Sequence, residues 1–495
     1  MTHPLLYEVN ARHWLADLGR THGAPVDLAS VPEIELERLQ GRGFTHLWLM
    51  GVWPTGAKSR AQAVEHDGLR KSYDEALPGW TDVDIIGSPY AVEDVQVAAR
   101  LGGDAALATL RGRLATRGIR LLLDFVPNHL GLDHQWVQDR THLFVGQPES
   151  FDNSFAVHIA AGPQYLAHGK DPYFPGWTDT VQLDYRRDET RQAMTQLLLS
   201  IAEKCDGVRC DMAMLLLSDV FRSTWQHVPV EGAQATGEFW EYAIAEVKAR
   251  HPDFIFLAEA YWGLEGRLCD LGFDFAYDKT LYDRLLHNDL DGVQAHLLGL
   301  GAHNQRRAHF LENHDEPRLA GLAPLELQRA AAVLCLGLPG MRFFHEGQLE
   351  GVRRFARVQL ARRATEPVDI AVQNMYDELF AAFVEGAVGC GEGCVLDPVP
   401  AWEGNASERF FTVVQWQMPN DAARFNLVVV NLAPHRAQCR VRLTARGLEG
   451  GLWTLEDRLG TEHWERDGLE MGRDGLFLDL GPTSAQLFWC KHSRE

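Results

Sequence analysis

Short, nearly continuous apolar runs recur along the chain, at residues 5–9, 45–52, 119–126, 207–210, 254–258 and 308–311, with weaker ones at 272–276 and 341–344. A strand wet on one face alternates apolar and polar residues. Most of these runs do not, so they predict parallel strands covered on both faces. Helical spacing fills the intervals. Leu107, Leu110 and Leu114 share one face of a segment that Asp104 is expected to cap and Gly118 to end. Met194, Leu197, Leu198 and Ile201 form a similar stripe just before residue 207. Eight strands alternating with helices fit a (β/α)8 barrel, and strand counting alone allows a doubly wound sheet equally well.

Two stretches break the alternation. Residues 130–184 are rich in Gly, Pro, His and aromatics without sustained periodicity, too long for a plain loop. They read as a subdomain inserted after the third strand, over the barrel mouth. Past residue 390, runs at 410–416, 426–431 and 439–443 alternate or are β-branched, with turn residues between them, which predicts an antiparallel β-sandwich. The expected division is a barrel at 1–129 and 185–390, an insertion at 130–184 and a sandwich at 391–495.

The 495 residues carry a formal net charge of −21, which argues against nucleic acid or an anionic membrane as partner. No run approaches the roughly 20 apolar residues of a membrane helix, and the first residues lack the pattern of a secretory leader. The eight cysteines are spread through apparent core segments, and no second close pair joins Cys390 and Cys394 to make a zinc pattern. Reduced, buried thiols in a cytoplasmic protein are the expectation.

Candidate chemistry sits where strands end. Asp124, Asn128 and His129 end or follow the third strand, Arg209 and Asp211 the fourth, Glu259 the fifth, and Asn313, His314 and Asp315 the seventh. In a barrel all these ends open onto one face. Carboxylates without a Cys or His metal cluster suit acid/base work on a glycosidic bond. Arg209, two residues before Asp211, shares its strand face and would keep it ionised as a nucleophile. Glu259 follows a very apolar strand, where desolvation would hold a proton for a leaving group. Asp315 with His314 could bind sugar hydroxyls as the ring flattens. A metal-dependent barrel hydrolase would need more convergent ligands than His129 and His314 provide. A non-catalytic homologue would be expected to lose one of the three carboxylates.

Four segments resemble, in order, the short conserved regions of the α-amylase superfamily: Asp124-Phe-Val-Pro-Asn128-His129, Gly207-Val-Arg209-Cys-Asp211, Glu259-Ala-Tyr-Trp262 and Phe310-Leu-Glu-Asn313-His314-Asp315. The resemblance implies a TIM barrel and a retaining mechanism on α-glucosides, with Asp211 as nucleophile, Glu259 as acid/base and Asp315 as transition-state carboxylate. It further implies that Tyr90 is the aromatic platform under the reacting sugar. Asp124, His129, Arg209, Trp262, Asn313, His314 and Arg318 would complete the substrate site. Trp53, Trp136 and Trp177 are further candidates to line the cleft.

Departures refine the expectation. Leu215 stands where many amylases place a calcium-ligating His, and Gln182 where they place an Asp, so no amylase-type calcium and no other cofactor is expected. Met214 replaces a Lys common in starch-acting members. Asn313-His-Asp-Glu-Pro-Arg318 and the run from Asn128 to Trp136 are similar to the branch acting on short α-glucosides. Ala91 stands where that branch places a sugar-clamping Asp, so the clamp is absent or rebuilt from Asp94 or Arg318. The expected activity is hydrolysis of short α-glucosides, with a dedicated transglycosylase as the alternative.

Overall fold

The computed structural model describes residues 3–159, 162–230, 232, 234–449 and 451–493. Eight parallel strands close into a barrel in chain order: β1 (Leu5–Asn10), β2 (His46–Met50), β3 (Arg120–Phe125), β4 (Gly207–Cys210), β5 (Ile255–Ala258), β6 (Phe275–Tyr277), β7 (Arg307–Phe310) and β8 (Met341–His345). β8 pairs back onto β1, with Leu5 opposite Arg342, so the sheet has no edge and the doubly wound alternative is excluded. The weak run at 272–276 is displaced. Gly272, at φ 113°, turns the chain after the helix Glu265–Asp270, and pairing starts only at Phe275, opposite Leu257.

The unbroken apolar runs have a geometric cause. Leu6, Trp48, Met50, Leu122, Leu257, Phe310 and Phe343 cluster inside the barrel. Leu5, Tyr7, Leu47, Leu49, Leu121, Leu123, Phe256 and Phe344 belong to the outer core under the helices. Side chains alternate along a strand, so two cores together occupy every position. Followed toward the strand ends, the inward set changes character: Leu6 is succeeded by Glu8, Leu122 by Asp124, Arg209 by Asp211 and Leu257 by Glu259. That two-residue step gathers ionisable groups at one mouth.

The first helical stripe forms Gly103–Ala115, with Leu107, Leu110 and Leu114 buried. Asp104 does not cap it. Gly102 holds the cap position at φ 100°, and Asp104, inside the first turn, accepts the Val97 N–H at 2.8 Å and pairs with Lys204 at 2.6 Å. The second stripe forms Asp188–Ala202, where Met194, Leu198 and Ile201 are buried and Leu197 is half-buried.

After β3 the strand His129–Gly131 pairs antiparallel with Thr180–Gln182. The chain between them includes a sheet of Gly146–Gln147, Ser154–Ile159 and Gly162–Ala167. Beyond the helix Ile370–Val384, a six-stranded and a three-stranded antiparallel sheet share a core around Phe425, Cys439, Trp453, Leu478 and Phe488. This unit docks on the helix Leu325–Gly337: Trp416 Nε1 donates to the Gly337 carbonyl at 2.7 Å. A Cβ at Gly337 would lie 2.6 Å from Val428 Cγ1, so this contact requires glycine.

All eight cysteines are free thiols. Cys390 and Cys394 are exposed, which corrects the expectation that every thiol is buried. Among the described residues no helix is long and apolar enough to cross a membrane.

Candidate active site

Arg209 projects inward from β4, between Asp124 on β3 and Leu257 on β5, and is fully buried. Its Nη1 donates to Asp211 Oδ1 at 2.8 Å, and its Nη2 lies 2.8 Å from Glu259 Oε1. Nε donates to the Tyr277 hydroxyl at 3.2 Å. The rings of Trp48, Tyr90 and Tyr277 surround the guanidinium, with centroids 5.2, 5.4 and 5.5 Å away. The sequence suggested that Arg209 serves Asp211. In the fold its charge is shared between two carboxylates.

Glu259 has two more partners. The Tyr261 hydroxyl donates to Oε1 at 2.8 Å, and the Met212 N–H donates to Oε2 at 2.6 Å. Met212 adopts φ 43°, a left-handed conformation uncommon for a side-chain-bearing residue. That turn directly after Asp211 points the N–H at Glu259. Two buried carboxylates on one guanidinium leave a negative charge over. Burial, followed by the neighbouring Glu259, pushes Asp211 up to about 7, against the pull of Arg209. Asp211 therefore gives up its proton only near that pH. The expectation was that Arg209 keeps Asp211 ionised; burial and Glu259 oppose it in that.

Asp315 arrives from the other side of the mouth, with 49% of its side chain exposed. Its N–H and that of Glu316 donate to Asn313 Oδ1 at 2.9 and 3.1 Å, a local turn that presents the carboxylate. Asn313 is itself buried, so its side chain positions Asp315. His314 Nε2 lies 3.0 Å from Asp315 Oδ2 and 2.7 Å from the Tyr90 hydroxyl, and its Nδ1 lies 2.5 Å from Glu8 Oε1. Burial opposes charge on His314, but Asp315 and Glu8 outweigh it and hold the imidazole well above the ordinary histidine range. The solvation lost at the mouth opposes ionisation of Asp315, and His314 outweighs that loss, holding the carboxyl below its usual range. The Tyr90 ring stacks on His314, with centroids 5.5 Å apart and 24° between planes.

A cavity of about 450 Å³ brings together Tyr90, His129, Trp177, Asp211, Glu259 and Asp315. His129 is held down to about 4 by burial and is neutral, and its ring lies 5.1 Å from that of Trp177. Other expected contacts stand behind this lining. Asp124 is buried, accepting from Trp48 Nε1 at 3.1 Å and the Gly51 N–H at 2.9 Å, and burial pushes it up to about 6 despite Arg209. Arg318 is buried against Glu312, His345 and the Glu346 carbonyl at 2.8, 2.9 and 2.5 Å. Asp94 lines a different cavity, so neither Asp94 nor Arg318 rebuilds the missing clamp. Of the tryptophans, Trp53 is buried with Nε1 on the Asp124 carbonyl, Trp136 faces that other cavity, and Trp262 is 42% exposed outside the lining.

The sequence reading missed Glu8, Trp48, Tyr261 and Tyr277, which hold His314, Asp124, Glu259 and Arg209. Glu8 was accessible to it: on β1 it lies two residues from the inward Leu6, a charged residue in an apolar run. Asn128 and Gln182 bond reciprocally, at 3.2 and 3.0 Å, and Leu215 is buried in the core. Among the described residues no group of three or more His, Cys, Asp or Glu side chains is arranged to hold a metal ion.

Compared with known proteins, the α-amylase catalytic domain matches residues 35–378. An α-1,4-glucan:maltose-1-phosphate maltosyltransferase of Rhodospirillum rubrum is 25% identical over 460 residues, covering 87% of this chain and 57% of its own length. The chain thus spans little more than half of that relative, and 26% of a maltosyltransferase of the same name from Burkholderia pseudomallei. An α-amylase of Dictyoglomus thermophilum is 20% identical over 70% of this chain and 64% of its own. Among solved structures, a maltogenic α-amylase from Thermotoga neapolitana superposes with a TM-score of 0.67 over 99% of both chains at 18% identity, a likeness of fold.

Proposed function

Because the chain belongs to the α-amylase catalytic-domain family, we propose that it is a retaining enzyme of α-1,4-glucosides that works through a glycosyl–Asp211 intermediate. The carrying observation is Arg209, whose single guanidinium spans Asp211 and Glu259 at 2.8 Å each. Carboxylates bridged in this way suit the short spacing of retaining enzymes, about 5–5.5 Å, better than the wider gap of inverting ones. Asp211, ionised, attacks the anomeric carbon as the glycosidic bond breaks, and Glu259, acting as the acid, gives its proton to the leaving oxygen. Glu259 then takes a proton from the incoming hydroxyl, whose oxygen displaces Asp211 and restores the α configuration. Asp315, ionised beside His314, faces the positive charge that develops on the ring. Tyr90 offers its face to the apolar side of the sugar.

Water as the acceptor makes the enzyme a hydrolase of short α-glucosides. A second reading, transfer to another sugar, draws on a cluster beyond Glu259. Trp262 stands edge-to-face with Tyr173 at 5.0 Å, and Tyr173 and Phe174 are 70% and 68% exposed. Exposed aromatics beside the acid/base suit an acceptor sugar, and several relatives carry the name of maltosyltransferases. Proton NMR of reactions with maltose, maltotriose, sucrose, trehalose and maltose 1-phosphate separates the two. Free glucose or maltose marks hydrolysis, and new oligosaccharides mark transfer. Consumption of none of these donors would sink both.

The Asn128–Gln182 amide pair, with Leu215 in the core, supports activity without an amylase-type calcium. Dialysis against a chelator is expected to leave turnover unchanged and Tm within about 1 °C, because removing a ligand that does not bind the native state shifts nothing. A clear fall in Tm by differential scanning calorimetry would restore a structural metal.

A further inference from the structure

A second cavity, of about 850 Å³, opens beside the active-site loops. The stretch 93–96 just past Tyr90 forms part of its wall, the stretch 133–136 just past His129 another, and the helix Asp188–Ala202 contributes Gln196. The loops that carry Tyr90 and His129 thus have catalytic groups on one side and this cavity on the other.

Trp136 is half-buried in the wall, and His134 meets its ring edge-on at 4.9 Å and 76°. His134 is only 6% exposed. Its Nδ1 accepts the Trp136 backbone N–H at 3.2 Å, which places the ring proton of the neutral form on Nε2. His134 is part of the cavity wall. Burial holds His134 down to about 4, against the pull of Asp94, so Nε2–H is a neutral donor at ordinary pH. Glu93 and Asp94 bring carboxylate acceptors, Gln196 brings an amide, and exposed Arg140 lies over the Trp136 ring with its guanidinium 5.5 Å from the centroid.

We propose that this cavity is a second saccharide site, which holds a glucan chain outside the catalytic centre with Trp136 as its platform. A pyranose has an apolar C–H face and a rim of hydroxyls, and the wall offers an aromatic face ringed by neutral donors and carboxylate acceptors. Glu93 and Asp94 repel an anion. Arg140 repels a metal ion, and Asp133 Oδ2 is already taken by the Lys58 and Ser59 N–H groups at 2.8 and 3.3 Å. A chain held here raises the local concentration of its ends near the catalytic mouth. The choice of glucan among saccharides rests on the proposed function.

Affinity electrophoresis in amylopectin gels, with calorimetric titration of maltoheptaose, tests the site in an Asp211→Asn background, where no substrate is consumed. Adding Trp136→Ala or, at the exposed rim, Asp94→Ala is expected to weaken retention by about fivefold or more, the loss of one sugar–aromatic contact. In the otherwise wild-type protein both changes leave kcat/KM on maltotriose unchanged. Retention as strong in both variants as in the parent overturns the site, as does a parent that amylopectin does not retard. Retention lost in the variants of a protein that turns over no α-glucoside upholds the site and rejects the catalytic reading.

Discussion

Asp211→Asn is expected to lower turnover roughly 10⁴-fold or more, the scale of losing a covalent nucleophile. The Asn oxygen can accept from Arg209 but cannot form the glycosyl ester. Folding carries Asp211 from the ordinary carboxylate range up to about 7. A carboxyl raised on folding favours the native state while protonated, and that contribution is lost as pH rises through the folded value. Above about pH 7 the ionised side chain therefore burdens the fold. The Asn variant carries no such charge, and Glu259 is left as the one carboxylate on Arg209. Its Tm there is expected to be no lower than that of the wild type. Steady-state kinetics beside a melting curve checks both parts. Residual activity within tenfold of wild type would remove Asp211 from the chemistry.

Glu259→Gln is expected to cost about 10³-fold on natural glycosides, within the range for general acid–base catalysis, and much less on aryl glycosides, whose leaving groups need no proton. The pH profile carries the sharper test. Burial and the neighbouring Glu259 push the nucleophile Asp211 up to about 7. Wild-type kcat/KM should rise as pH rises through about 7, where Asp211 ionises, and in the Gln variant, which lacks the Glu259 charge, that acidic limb should move to lower pH. An unchanged limb in the variant would remove Glu259 from the control of Asp211.

The barrel was legible because two cores leave few polar positions inside a strand, so each run announced a strand and its end announced the mouth. β6 was misplaced because its three residues, Phe275–Tyr277, are too few for a pattern and Gly272 belongs to the preceding turn. Asp211, Glu259, Asp315 and His129 were readable as polar residues at or just past strand ends, Tyr90 only through the family resemblance, and all five share one cavity. The burial of Asp124, Asn313 and Arg318 was not readable, since a strand-end polar residue looks the same whether it faces a substrate or supports one that does. The sharing of Arg209 by two carboxylates was also hidden, because Asp211 and Glu259 lie on separate strands and meet only when the barrel closes. Glu8 had a signal, a carboxylate at an inward position of an apolar strand. Tyr261 had none beyond its closeness to Glu259.

The most direct measurement is the anomeric configuration of the first product, followed by proton NMR from the start of the reaction with whichever donor the enzyme consumes. Double displacement through Asp211 requires the α anomer first, with β appearing only by mutarotation. A β anomer at first appearance would mean a single displacement by water and would contradict a covalent Asp211 intermediate.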